Sequence, residues 1–206
     1  MQQVRSSACR VGQVSGNSMK RKNALILFAL LVVVFLIIDR VTKNMAIDLL
    51  TDSGPVLAIP YLFDFVLVYN TGAAFGMMEG GGWMFVGVAV VAVVAIIAYL
   101  IKGKELGLPL VLALSLIAGG ALGNAYDRAV SGAVPDFIHA LFIEFPVFNA
   151  ADIFLTIGEI ILIITVAIYW FGPQKTPALE EDAELGDATQ LEEAAQKDTE
   201  KSSQDN

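Results

Sequence analysis

The chain has 206 residues, 56% of them hydrophobic, with a mean hydropathy of +0.66 and a formal net charge of −8. This is more apolar surface than a water-soluble domain of this size buries around one core, which points to the bilayer. One cysteine and one histidine exclude an internal disulfide framework and a multi-histidine zinc site.

Residues 1–18 are polar and without periodicity; Met19, followed by Lys20-Arg21-Lys22 and an apolar run, has the look of an alternative start. Ser6-Ser7-Ala8-Cys9 lacks the preceding apolar stretch of a lipidation box, and no small-x-small cleavage site follows the first apolar run before Asp39. Four apolar segments follow, at Asn23–Ile38, Trp83–Ile101, Leu106–Gly123 and Ile153–Phe171. A helix needs about 20 residues to cross the hydrocarbon core, so the first is extended through Lys43 and the third through Asn124 and Asp127. Between the first two spans, Leu62–Tyr69 is aromatic and β-branched and predicts a short strand, closed by Asn70-Thr71-Gly72, with a glycine hinge at Gly80-Gly81-Gly82. After Pro177 the chain lacks apolar content and is expected to be disordered. Residues 180–206 carry ten carboxylates against Lys197 and Lys201, which accounts for the whole net charge; residues 1–179 hold 11 acidic and 11 basic side chains.

Eight lysines and arginines fall before the first span, between the second and third, or after the fourth; only Arg40, Lys43 and Arg128 fall on the other side. By the positive-inside rule both termini are expected in the cytoplasm, with the long connections 44–82 and 124–151 facing outward. Asp39, Lys43, Asn124, Asp127, Arg128, Asp136, Asn149 and Asp152 then map to one level, the outer interface. Charged groups at a bilayer mark function once snorkelling is excluded.

Asp152, just before the fourth apolar run, has an ordinary explanation as a helix N-terminal residue. Asp136 sits between apolar neighbours, where an exposed loop aspartate is out of place. Two carboxylates at one site share a proton, so that one acts as base and the other as acid, and can activate water without metal, thiol or imidazole. The alternatives are an ion or proton carrier built on intramembrane carboxylates and a metal-dependent protease, with Asp136 and His139 as a poor ligand pair. Ser115 has no partner base at recognisable spacing. Gly119-Gly120-Ala121-Leu122-Gly123 suits close helix packing. Glu159, seven residues beyond Asp152, either lines the same cavity or pairs with another helix.

Five blocks carry a family resemblance: Asp39-Arg40-Val41-Thr42-Lys43, Asn70-Thr71-Gly72-Ala73-Ala74-Phe75-Gly76, Gly119 through Arg128, Val134-Pro135-Asp136-Phe137 and Phe148-Asn149-Ala150-Ala151-Asp152. In this order, over about residues 20 to 172, the chain resembles bacterial lipoprotein signal peptidase, also called signal peptidase II. The resemblance implies an all-α membrane protein of four transmembrane helices with a small extracytoplasmic β-sheet and a short interfacial helix. It implies an aspartic endopeptidase of the inner membrane that removes signal peptides from diacylglyceryl-modified prolipoproteins, cutting on the amino side of the lipidated cysteine. It places catalysis on Asp136 and Asp152 and substrate binding on Asn70, Gly72, Asn124, Arg128 and Asn149, with Asp39, Lys43 and Asp127 in support. Partners are then the prolipoprotein substrate and membrane lipids, with no nucleic acid, metal or cofactor expected. Pro135 departs from the family's usual aliphatic residue and removes a backbone donor before Asp136. The domain reading is an N-terminal segment 1–22, a protease domain 23–172 and an acidic tail 173–206.

Overall fold

The computed structural model describes residues 18–72, 81–103 and 105–171. The chain divides into a compact unit Met1–Trp170, which holds all the elements except the last residue of the fourth helix, and a second unit Phe171–Asn206. Residues 1–17 and the acidic tail lie outside the described residues.

Strand β1 (Ser18–Lys20) leads into helix α1 (Arg21–Ser53), then β2 (Val56–Ile59), β3 (Phe63–Asn70), α2 (Gly82–Lys102), β4 (Glu105–Gly107), α3 (Leu108–Ser131), β5 (Val134–Ala140) and α4 (Ala150–Phe171). All four helices are long and apolar enough to cross a membrane. Their unequal burial sets the architecture: 67% of the apolar window of α3 is buried, against 22%, 6% and 11% for α1, α2 and α4. Helix α3 is therefore the central post, and its small residues explain how the others approach it. A Cβ on Gly120 would stand 2.5 Å from the Ala151 carbonyl oxygen of α4, and one on Gly158 2.9 Å from the Ala113 carbonyl of α3. The glycine-rich block thus serves the close helix packing its composition implies.

The α3 ends carry ordinary signals. Pro109 lies in its first turn, and Gly132, at φ 76°, closes it by donating its N–H to the Arg128 carbonyl. Helix α1 runs ten residues beyond the expected end at Lys43. At 33 residues it spans about 50 Å, longer than the ~30 Å hydrocarbon core, so its last turns project past it. There Ala46 and Leu50 pack on Phe137 of β5, with Val56, Phe65 and Leu67 around them. The first long connection accordingly begins after Ser53, not at residue 44.

Two small antiparallel sheets sit at opposite ends of α1, one preceding it and one following it. Strand β1 pairs with β4, Ser18 opposite Gly107, beside the apolar cluster of Ala24, Phe28, Leu100, Leu106 and Leu110. The sequence gives no sign of this pairing. The other sheet has the order β2-β3-β5, with Phe65 opposite Ile138, Val68 opposite Asp136 and Asn70 opposite Val134. An irregularity between Phe65 and Val68 re-aims the strand. The strand expected at Leu62–Tyr69 is thus found one residue later. The four helices are the only helices among the described residues; residues 73–80, where part of the glycine hinge falls, lie outside them.

Candidate active site

Every site residue expected from the sequence falls at the end of the bundle that carries β2-β3-β5. Asp136 is 3% exposed on β5. Its Oδ2 accepts a hydrogen bond from Asn70 Nδ2 at 3.0 Å, and its Oδ1 one from Asn149 Nδ2 at 2.6 Å. Burial pushes its carboxyl up from 3.8 to about 6, against the lowering effect of those two amide donors; the nearby Asp152 charge adds to the rise and Lys43 opposes it.

Asp152 opens α4 in a reciprocal cap. Asn149 Oδ1 accepts from the backbone N–H groups of Ala151 at 2.8 Å and Asp152 at 3.2 Å, while Asp152 Oδ2 accepts from the Asn149 N–H at 3.0 Å. This is a capping box written with asparagine and aspartate. The ordinary explanation for Asp152 is therefore correct, yet incomplete. Its Oδ1 accepts from Asn124 Nδ2 at 2.8 Å, and it lines the same cavity of about 460 Å³ as Asp136, Asn70 and Arg128. Asn149, fully buried, joins the two carboxylates: its backbone N–H serves Asp152 and its side-chain amide serves Asp136.

The orientation of Asn124 is fixed from behind. Lys43, fully buried, spends its three protons on Asp39 Oδ2 (2.9 Å), Asp127 Oδ2 (2.7 Å) and Asn124 Oδ1 (2.9 Å). With its oxygen committed to Lys43 and to Asn149 Nδ2 (3.2 Å), Asn124 presents its NH2 to Asp152. Arg40 completes this layer on Asp127 Oδ1 at 2.6 Å and covers the Tyr126 ring at 4.6 Å. On the β3 side, Asn70 Oδ1 accepts from the Gly72 N–H at 2.9 Å, and Arg128 Nη2 donates to the Gly72 carbonyl at 2.8 Å while its guanidinium sits 4.9 Å from the Phe85 ring. Gly72 thus contributes its backbone, as the tie between Arg128 and Asn70.

Two side chains singled out in the sequence take no part in the carboxylate network. His139 does not join Asp136: three residues apart on one strand they face opposite sides of the sheet, and His139 Nδ1 lies 2.9 Å from Asp64 Oδ1 across the β3–β5 pair. Glu159 neither lines the cavity nor pairs with a described residue; it is exposed on α4. Sequence reasoning missed Asp64, Phe85 and Arg40 as members of these networks, because each acts only through the partner that the fold brings to it.

The sequence profile described as Signal peptidase (SPase) II matches residues 31–168. A lipoprotein signal peptidase of Ectopseudomonas mendocina is 42% identical over 140 residues, covering 65% of this chain and 83% of its own length. That of Nostoc punctiforme is 37% identical over 163 residues, covering 77% and 96%. Among solved structures, a bacterial membrane enzyme determined by the in meso method at 2.3 Å is 33% identical and superposes with a TM-score of 0.66, over 72% of this chain and 92% of that one. The match, together with four membrane-length helices, sets aside the carrier alternative: the chain belongs to the signal peptidase II family, the multi-pass membrane proteases that remove signal peptides from prolipoproteins.

Proposed function

We propose that Asp136 and Asp152 are the catalytic pair, acting on one water in the cavity they share. One carboxylate takes a proton from water as its oxygen bonds to the scissile carbonyl carbon, and the partner carboxyl gives its proton to the carbonyl oxygen. The tetrahedral intermediate collapses with cleavage of the C–N bond, and a proton passes to the departing nitrogen. The observation that carries this is Asn149, which donates to both carboxylates and holds them in one hydrogen-bonded unit. The Asp136 carboxyl, raised to about 6, holds a proton closer to neutral pH than an ordinary aspartate. Asn70, Asn124 and Asn149 orient the carboxylates and, with Arg128, offer polar contacts to the substrate backbone, with Gly72 positioning that rim; Asp39, Lys43 and Asp127 support them.

The substrate is a diacylglyceryl-modified prolipoprotein, cut on the amino side of the lipidated cysteine, with its acyl chains left among the membrane lipids beside the bundle. The apolar wall of Phe145, Val147, Phe148, Ile153 and Ile157 supports this reading. Basic residues gather at the end bearing β1 and β4, so the positive-inside rule supports cytoplasmic termini and an extracytoplasmic β2-β3-β5 sheet and site, in the bacterial inner membrane. Residues 23–172 form the protease domain, flanked by a basic N-terminal segment 1–22 and an acidic tail 173–206. Reporter fusions after Glu144 should read outside, and after Pro177 cytoplasmic. Deleting residues 1–18, or the tail from Glu180, should leave cleavage largely intact.

The decisive experiment is a gel-shift cleavage assay on a purified diacylglyceryl prolipoprotein. Asp136→Asn and Asp152→Asn should each abolish cleavage in protein that remains inserted and folded. Asparagine caps a helix as aspartate does, so near-wild-type cleavage by Asp152→Asn would reduce that residue to a cap and defeat the pair.

A further inference from the structure

Glu159 is left unused by everything above. It is the tenth residue of the 22-residue α4, so the two ends of the span are about 13 Å and about 18 Å away along the axis. Its carboxyl is exposed on the outer surface of the bundle, and no described residue hydrogen-bonds or ion-pairs with it. A carboxyl facing hydrocarbon at this depth, away from the interface where a side chain can snorkel, is costly unless something polar meets it.

Its position on the helix says what that something is. At 100° per residue Asp152, Thr156, Glu159 and Ile163 fall on one stripe of α4, within about 60° of each other. The upper part of that stripe is catalytic ground: Asp152 and Thr156 line the cavity, and the next residue, Ile157, does too. Below it Glu159 and Ile163 are exposed, so the stripe leaves the cavity and continues down the bundle as an open face. On the reading that the scissile bond sits at Asp136 and Asp152, the segment just before the cut must descend from the cavity into the bilayer, because a signal peptide's apolar core is membrane-embedded. The face continuous with the cavity mouth is the surface it meets first.

We propose that Glu159 is a specificity-determining residue that contacts this apolar core and favours substrates carrying a hydrogen-bonding side chain there. Asp152 and Glu159 are seven residues apart, about 10 Å along the axis, so a helical substrate segment brings its seventh or so residue before the cut to the level of Glu159. The contact is made by bound substrate before and during the reaction alike, so it acts on KM and leaves kcat unchanged.

The test uses the full-length enzyme and a diacylglyceryl prolipoprotein whose signal core is rebuilt on leucine, with one asparagine walked from the third to the eleventh residue before the cut. Wild-type enzyme should prefer asparagine near the seventh residue by about three- to tenfold in kcat/KM, the size of intramembrane side-chain hydrogen bonds. Glu159→Leu should erase that peak while cutting the all-leucine substrate within about twofold of wild type, and Glu159→Gln should keep it. A flat profile for the wild type, a peak that survives Glu159→Leu, or an equal loss on all substrates overturns the proposal. So does a photocrosslinker at position 159 that captures a second copy of the chain instead of the signal segment. Failure of the catalytic reading is distinct: Asp136→Asn would then still cut both substrates.

Discussion

Four carboxylates lie within a few turns of one another at one end of this bundle, and they are held in two different ways. Asp39 and Asp127 are gripped by cations, Lys43 and Arg40, at 2.6–2.9 Å. Asp136 and Asp152 are held by neutral amides from Asn70, Asn124 and Asn149. A cation binds a carboxylate through charge as well as hydrogen bonds; amide donors orient it and favour its charged form more weakly, so that at Asp136 burial outweighs them and the carboxyl stands at about 6. The ion-paired layer can therefore act as foundation and the amide-held layer as a working acid–base pair, with Asn124 joining them: its oxygen is in the first and its NH2 in the second.

The largest effects should come from the amide-held layer. Asp136→Asn and Asp152→Asn remove the exchangeable proton and should lower cleavage at least about a thousandfold, while the double variant is little worse than either single one, as for groups that act as a unit. An additive double loss, measured in the same assay, would show two separate roles. Breaking the foundation should cost stability first. Lys43→Met leaves two buried carboxylates short of their cation and should destabilise the protein by about 3–5 kcal/mol, seen as a lower midpoint of thermal unfolding in detergent micelles. Cleavage should fall with it, because Asn124 loses the partner that fixes its amide.

A difference in pH behaviour sharpens the same contrast. The Asp136 pKa is raised from 3.8 to about 6 in the folded protein, so the stability it contributes is complete below about pH 4 and lost as pH rises through 6. Relative to wild type, Asp136→Asn should gain about 2 kcal/mol between pH 4 and pH 7, whatever its offset at pH 4, where an amide facing two donors is poorly matched. A pH-independent offset in the unfolding midpoints would mean that the carboxyl is not perturbed. The smallest effect should come from Asp64→Asn. Its partner His139 is 37% exposed, and a solvent-facing pair of this kind contributes less than about 1 kcal/mol.

Much of this was legible in the chain, for reasons that differ by element. The spans follow from apolar length, and Asp136 stood out because its neighbours are apolar. The extension of α1 is visible in retrospect as Asp39, Lys43, Ala46 and Leu50, a buried stripe at helical spacing that continues after the hydrocarbon run has ended. The pairing of β1 with β4 joins residues more than 80 apart through three-residue strands, which are too short to carry a pattern. Asn149 was expected at the site, yet its double duty depends on β5 and α4 meeting, and no spacing along the chain encodes that.

That double duty narrows what can stand at position 149. Aspartate would cap α4 as well but would bring a third carboxylate against Asp136, where a donor is required. Serine would also cap, with a single proton to offer and a shorter reach. Glycine would leave the cap to the backbone and offer neither. Glutamine has the same amide on a longer stem and is a weak cap. Of the residues that start helices well, asparagine alone pairs an acceptor for the first turn with an NH2 for a neighbouring carboxylate, so saturating substitution at this one position should return few functional residues besides asparagine.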